Sequence, residues 1–281
     1  MNERRAAPTK PRPAPKLRLH KKRFYQFRVA VLLVILVGVV VYAALDYVQR
    51  HARRQWQRPL HVAMILLERG HLDPVALHAF QGRVAQLEAT LEAEYARYDG
   101  AFRPIRFQQF GPVPEQAPPP VAAPDPSLWE PLRFSLRLWQ FARQSDRDAG
   151  LLGGPHDGKI YVRLSPPQTR RRARVEGLGQ DGGRIAVASI ELSEDSVDFG
   201  LFVIAHELFH LLGASDRYAP DGTAEIPGGL GEPELEPRYP QRSVEVMARG
   251  RVLSRGEEVP PSHLDELRVG PTTASEIGWV R

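Results

Sequence analysis

Apolar positions run without a break from residue 29 to 45, VAVLLVILVGVVVYAAL, with Phe24, Tyr25 and Phe27 just ahead of them. A seventeen-residue run rises about 25 Å as a helix, and the aromatic flank brings it to the length a bilayer needs. A buried core helix would normally keep a polar face, and this run has none. A cleaved signal peptide is the other reading. Against it, no small-residue cleavage site follows, and the run ends in AALDYVQRHARR. A retained transmembrane helix over 29–46 is therefore expected, followed by a polar stalk over 47–57.

Beyond the stalk the pattern shortens and alternates. LHVAMILL (60–67) reads as a buried strand, and Asp73-Pro74 as the cap and first turn of a helix reaching about Tyr98. Val75, Leu77, Val84, Leu87, Leu91 and Tyr95 fall at helical spacings within it. PIRFQQF (104–110) alternates as a second strand, and a strand–helix–strand unit of this length implies parallel pairing. GPVPEQAPPPVAAPDP (111–126) is proline-rich and reads as an extended insertion loop. Ser127 can cap the next helix, to about Gln144. Its Leu128, Trp129, Leu132, Leu136, Trp139 and Phe141 are expected to pack into the core. Loop and helix together make an insertion over 111–147.

KIYVRLSP (159–166) and GRIAVASIEL (183–192) read as a third and a fourth strand, separated by the basic loop TRRRAR (169–174). SEDSVDFGLFVIAHELFHLL (193–212) opens with capping residues and early acids suited to a helix N-terminus. GTAEIPGGLGEPELEPRYPQ (222–241) holds too much Gly and Pro for a helix and reads as an irregular loop. PTTASEIGWV (271–280) reads as a short closing helix. The expected fold class is α/β (α+β): a mixed twisted sheet with one long helix and a small irregular C-terminal subdomain, all within residues 58–281.

Charge changes the picture at one end only. Of 38 basic and 33 acidic side chains, ten basic and one acidic lie in residues 1–28, leaving 28 basic and 32 acidic beyond. The basic excess belongs to the tail, so a nucleic-acid partner is not expected of the folded body. The tail outweighs the four arginines just after the apolar run (Arg50, Arg53, Arg54 and Arg58). The N-terminus is thus expected in the cytoplasm, where it would face anionic lipid, with the body in the periplasm or exterior. Arginine outnumbers lysine 33 to 5, which suits a GC-rich bacterial genome and an inner membrane. The chain has no cysteine, which excludes a disulfide scaffold and a thiolate metal site.

The chemistry concentrates in HELFHLLGASDRY (206–218). His206 and His210, four apart on a helix, project from one face, where two imidazoles can hold one zinc ion. Glu207 sits beside the first histidine, angled to take a proton from a water at the metal. The surrounding positions are apolar, so three bare polar groups among them are costly unless a ligand satisfies them. Gly213 can adopt a positive φ, end the helix and turn Asp216 back toward the metal. Two histidines, an aspartate and an open fourth position make a catalytic donor set.

HELFHLLGASD resembles the signature of the metzincin zinc metalloproteases, with Asp where the third His usually stands, as in their snapalysin-like members. The resemblance implies a metzincin-like fold over roughly 58–281 and a methionine turn beneath the metal, for which Met247 in SVEVMARG (243–250) is the candidate. It also implies a protein or peptide substrate paired with an exposed edge strand, here near 183–192. Four expected strands against the usual five, and the 111–147 insertion, depart from the family pattern.

Several readings stay open at this stage. The third ligand can instead come from Glu225, Glu232, Glu234 or Glu236. Tyr218 can steady a developing oxyanion or simply pack the turn. Arg217 can pair with an acid of the 232–236 cluster. His71, His78, His156 and His263 lack metal spacing. The expected function is a membrane-anchored zinc endopeptidase using one catalytic Zn²⁺ and no small-molecule cofactor. The alternative is an inactive metzincin-like binding or assembly protein of the cell envelope.

Overall fold

The N-terminal apolar run lies within one helix, α1 (Leu17–Arg53), in the computed structural model of the chain, which describes residues 17–121, 129–151, 153–167, 176–179 and 183–280. From Phe24 to Arg53 this helix is long and apolar enough to cross a membrane, and its large apolar side chains are exposed. Residues to Gln49 form one unit and residues from Arg50 onward a second. The tail up to residue 16, the 169–174 basic loop and the Ser127 cap with Leu128 lie outside the described residues.

The second unit is organised by β1 (Leu60–Glu68), whose interior residues are buried on both faces. That explains its continuous apolar run, since a central parallel strand has no solvent face. Helix α2 (Pro74–Ala96) starts where Asp73 Oδ1 accepts the Val75 N–H at 3.0 Å, with Pro74 at its first position. Next come β2 (Ile105–Pro114), α3 (Glu130–Asp148), β3 (Gly158–Ser165), β4 (Glu176–Gly179) and β5 (Ile185–Glu191). They form one sheet in the order β2-β1-β3-β5-β4, parallel except for β4, which pairs antiparallel with β5.

Three expectations are corrected here. The sheet has five strands where four were expected. The extra strand, β4, reads EGLG and shows no apolar alternation; it is a strand because its backbone pairs with β5 from Glu176↔Ser189 to Gly179↔Ala186. As a result β5 is an inner strand, and the edge near 183–192 belongs to β4. Strand β2 also runs four residues into the expected proline-rich loop, past a register shift opposite Ile65 and Leu67.

Successive residues of β1 serve two cores. Val62, Met64 and Leu66 join α2 residues Phe80, Val84, Leu87 and Leu91, together with most of α4 (Val197–Leu212). Ala63, Ile65 and Leu67 join Tyr161, Val187 and the α3 residues Phe141 and Ala142. Helix α3 forms as its spacing suggests, but its burial is not the one expected. Of the residues read as its core face, Phe141 is buried, while Trp129, Leu132, Leu136 and Trp139 are exposed. The helix carries two apolar stripes, and the sheet takes the one holding Phe141, Ala142 and the half-buried Leu138.

After α4 the chain is irregular apart from β6 (Val244–Glu245), β7 (Arg251–Ser254), β8 (Glu257–Val259) and β9 (Leu267–Arg268), which form two small two-stranded sheets. The closing helix forms as α5 (Pro271–Ile277). Trp279 behind it packs on Tyr95 at 5.1 Å and on Phe209 at 5.6 Å between ring centroids. Trp56 Nε1 donates to the Ile277 carbonyl at 2.8 Å, so the start and the end of this unit are tied together.

Candidate metal centre

Helix α4 is buried along most of its length, because it lies between the sheet and the C-terminal segment. It ends at Gly213, which adopts φ 96°, ψ 20° and donates to the His210 carbonyl at 3.0 Å, while Ala214 N donates to Phe209 O at 3.0 Å. No atom lies within 4 Å of where a Cβ would stand on Gly213, so the left-handed backbone alone sets the demand for glycine. The turn brings Asp216 back over the last turn of the helix.

The three expected ligands then meet. His206 Nε2 and His210 Nε2 are 3.2 Å apart, and Asp216 Oδ1 lies 3.3 Å from the first and 3.1 Å from the second. Among the described residues they are the one group of three close enough to hold a metal ion. The Asp216 side chain is 40 % exposed against 15 % and 12 % for the histidines, so the group opens to solvent on the Asp216 side. None of Glu225, Glu232, Glu234 and Glu236 belongs to the group; Glu232 instead accepts the Arg242 N–H at 3.0 Å.

The outer ring nitrogens decide the chemistry of the inner ones. His206 Nδ1 lies 2.9 Å from the Val246 carbonyl, and His210 Nδ1 lies 3.0 Å from the Ala214 carbonyl. A carbonyl only accepts, so each Nδ1 must carry the proton. In the neutral rings both Nε2 atoms are then bare lone pairs, facing each other and a carboxylate. Three donors with no proton among them repel unless a cation lies between, and a backbone acceptor behind each imidazole is the arrangement that orients metal-binding histidines. The residues fit a divalent metal of the kind two imidazoles and a carboxylate bind. Where a proton rather than a metal ion bridges the group, burial would raise the Asp216 carboxyl, yet hydrogen bonding from the two imidazoles outweighs it and holds the carboxyl well below the usual carboxylate range.

Glu207 is almost fully buried, and its Oε2 has no hydrogen-bond partner. Burial pushes its carboxyl up, partly offset by His206 and His210. A buried, half-satisfied carboxylate beside a donor cluster is costly for folding alone.

Tyr218 also reaches the group. Its ring lies nearly parallel to that of His206, 6.5 Å between centroids, and it sits close enough to the Asp216 carboxylate for that charge to act on its phenol. Burial and that carboxylate raise the phenol to about 12, so it stays protonated as a donor. Arg249 lies over the outer face of the tyrosine ring at 5.2 Å.

Met247 is fully buried, and its backbone binds the loop that carries Asp216: Arg217 N donates to Met247 O at 2.9 Å. Residues 246 and 247 therefore brace the site from below, one through His206 and one through Arg217. Glu245, at the start of this turn, is buried and accepts from Thr273 Oγ1 and from the Gly270 N–H at 2.7 Å.

Arg217 does not pair with the 232–236 acids. It meets Glu276 Oε1 of α5 at 2.6 Å, and Glu276 Oε2 accepts the Ser215 N–H at 3.1 Å. Glu276 thus holds the loop on both sides of Asp216. Neither Glu276 nor Arg249 stands out in the sequence. Val246 and Ala214 contribute only backbone carbonyls, which no side-chain pattern reveals.

The chain matches no described protein family. It matches no curated protein. Among solved structures it is similar to archaemetzincin from Methanopyrus kandleri at 14% identity, with a TM-score of 0.31 over 58% of this chain and 77% of that one. A likeness this loose carries no argument about the function.

Proposed function

We propose that this protein is a membrane-anchored, zinc-dependent endopeptidase. The observation that carries the reading is the convergence of two carbonyl-backed Nε2 atoms and one carboxylate oxygen beside the buried carboxylate of Glu207. His206, His210 and Asp216 would hold one Zn²⁺. Bound zinc would supply Lewis acidity toward a peptide carbonyl and a lowered pKa for water.

The rest falls to the chain. Glu207 takes the proton of the attacking water and hands it to the departing peptide nitrogen. Its burial suits that exchange, since a carboxyl pushed upward holds the proton better between the two steps. Tyr218, its phenol kept protonated beside the Asp216 carboxylate, would donate to the developing oxyanion. Gly213 and Met247 set the turn above and the floor below. A peptide adding to the sheet would pair along β4, the edge strand on that side.

The layout we propose is a basic cytoplasmic tail (1–28), a transmembrane helix (29–46), a connecting segment (47–57) whose Arg53 and Trp56 already pack into the folded unit, and a catalytic domain (58–281) outside the cytoplasm. Residues 111–147 form an insertion in it. The test uses the full chain in detergent, assayed for zinc content and for casein cleavage beside Glu207→Ala. Expected are one zinc per chain in both proteins and cleavage by the wild type alone. Zinc without cleavage in the wild type would favour the inactive binding protein, and absence of zinc would end the metalloenzyme reading.

A further inference from the structure

The outward stripe of α3 is left over from everything described above. Trp129, Leu132, Leu136 and Trp139 recur at three- and four-residue spacing and are 67, 65, 54 and 52 % exposed. They share a helix face that none of the described residues covers, opposite the stripe of Leu138 and Phe141 that packs on the sheet. Four large apolar side chains in one exposed stripe mark a contact surface, since soluble faces rarely gather them.

The chemistry around the stripe selects the occupant. Arg133 and Arg137 flank it, and Arg143 and Arg147 continue it beyond Trp139, all four exposed. The Arg143 guanidinium lies 5.1 Å from the Trp139 ring centroid. The acids of α3 are engaged within the protein: Glu130 pairs with Arg137, Asp146 with Lys159 at 2.5 Å, and Asp148 accepts from Gln144 Nε2 at 2.9 Å. Tryptophans and leucines bordered by arginines are the composition of helices that lie in a membrane interface, with indole rings at headgroup depth and guanidinium groups on the phosphates. In a chain with an expected membrane anchor, arginines bordering two indole rings favour anionic lipid over an acidic polypeptide as the occupant.

Along the sequence, the folded unit follows closely on the expected membrane span. The apolar run ends at Leu45, and Arg53 is already buried in the folded unit, donating to the Gly183 carbonyl at 2.8 Å. Fewer than about ten residues separate the two, which as a helix is no more than about 15 Å. We propose that the outward face of α3 lies on an anionic lipid surface, a second membrane contact beside the α1 anchor. The substrates reaching the catalytic unit would then be those close to the membrane.

The proposal rests on the membrane-anchor reading, so the experiment reports on both. The chain has no cysteine, so single substitutions accept one spin label each. Val39→Cys reports α1, Leu136→Cys reports α3, and Val75→Cys reports an exposed position on α2. The full chain is placed in nanodiscs of phosphatidylglycerol and phosphatidylcholine. Collisions of each label with oxygen, which favours lipid, are compared with those of a water-soluble nickel chelate.

The expected result is a several-fold higher oxygen-to-nickel ratio at positions 39 and 136 than at 75. A lipid-like ratio at 39 with a water-like ratio at 136 overturns the α3 proposal while the anchor stands. A water-like ratio at 39 overturns the anchor reading and this proposal with it. Spin–spin broadening at 136, lost on dilution with unlabelled chain, overturns the lipid occupant in favour of a second copy.

Discussion

The two faces of the central sheet are built from alternate residues of the same strands, yet they lead to different ends. Val62, Met64 and Leu66 point into a core that continues through α2 and α4 to Val246, Met247 and Trp279. Ala63, Ile65 and Leu67 point into a small cluster closed by one helix whose other side is exposed. The large core is what surrounds the candidate metal centre. Its histidines sit on a helix packed on nearly every side, and their Nδ1 partners are carbonyls of segments fixed by the same packing. The small cluster covers the sheet and presents α3, and holds none of the donor group.

The difference can be broken by mutation, most forcefully in the cores. Phe80 is fully buried and lies against the α4 helix at Gly200. Phe80→Ala is expected to cost about 3–5 kcal/mol and to weaken zinc binding, because α4 loses its support. Phe141, 7 % exposed in the small cluster, is expected to cost less than Phe80 on truncation to Ala and to leave zinc affinity unchanged. Urea unfolding and zinc titration of the two variants would show it, and equal losses in both would erase the contrast between the faces.

Next in size is a pH effect under the site. Burial lifts the Glu245 carboxyl to about 7, above its ordinary 4.5, although Thr273 and the Gly270 N–H oppose it. A folded-state pKa above the unfolded one means the folded protein holds the proton longer. Stability from this group is full below about 4.5, falls as pH rises toward 7, and is level above. The loss is on the order of 3 kcal/mol. Melting temperatures between pH 4.5 and 8, beside Glu245→Gln, check it, and the variant should lack that fall.

A smaller effect is expected at Glu276, which holds Ser215 and Arg217 on either side of Asp216. Glu276→Gln should weaken zinc roughly tenfold or more, as loss of an orienting partner does, with circular dichroism unchanged. A competition titration with a chromophoric chelator reads this directly. The smallest effect belongs to the outer side of α3: Leu132→Ser should change unfolding in lipid-free buffer by less than about 0.5 kcal/mol. A larger loss there would mean that the stripe is packed against something within the protein.

The candidate site was legible because it is local. His206, Glu207, His210, Gly213 and Asp216 fall within eleven residues, and one helix with one left-handed turn brings them together. What supports them was not legible. Val246 and Ala214 act through carbonyls, and Glu276 reaches the loop across 61 residues from Ser215. In the fold, β1 and α2 stood out because burial on two faces, or a cap and a period, left marks in the side chains. Strand β4 left none, since Glu-Gly-Leu-Gly has no apolar alternation and is defined by its backbone pairing with β5. Helix α3 shows a third kind of limit. Its period was correct, but with two apolar stripes the period cannot say which one the sheet will take.

The central claim is that His206, His210 and Asp216 share one metal ion. X-ray absorption on the zinc-loaded full chain, beside Asp216→Ala, tests it most directly. The account predicts the multiple scattering of two imidazoles with oxygen completing a four-coordinate shell at about 2.0–2.1 Å, and a weaker, altered oxygen shell in the variant. An unchanged spectrum and unchanged affinity in Asp216→Ala would contradict it and return the third ligand to the glutamates of residues 225–236.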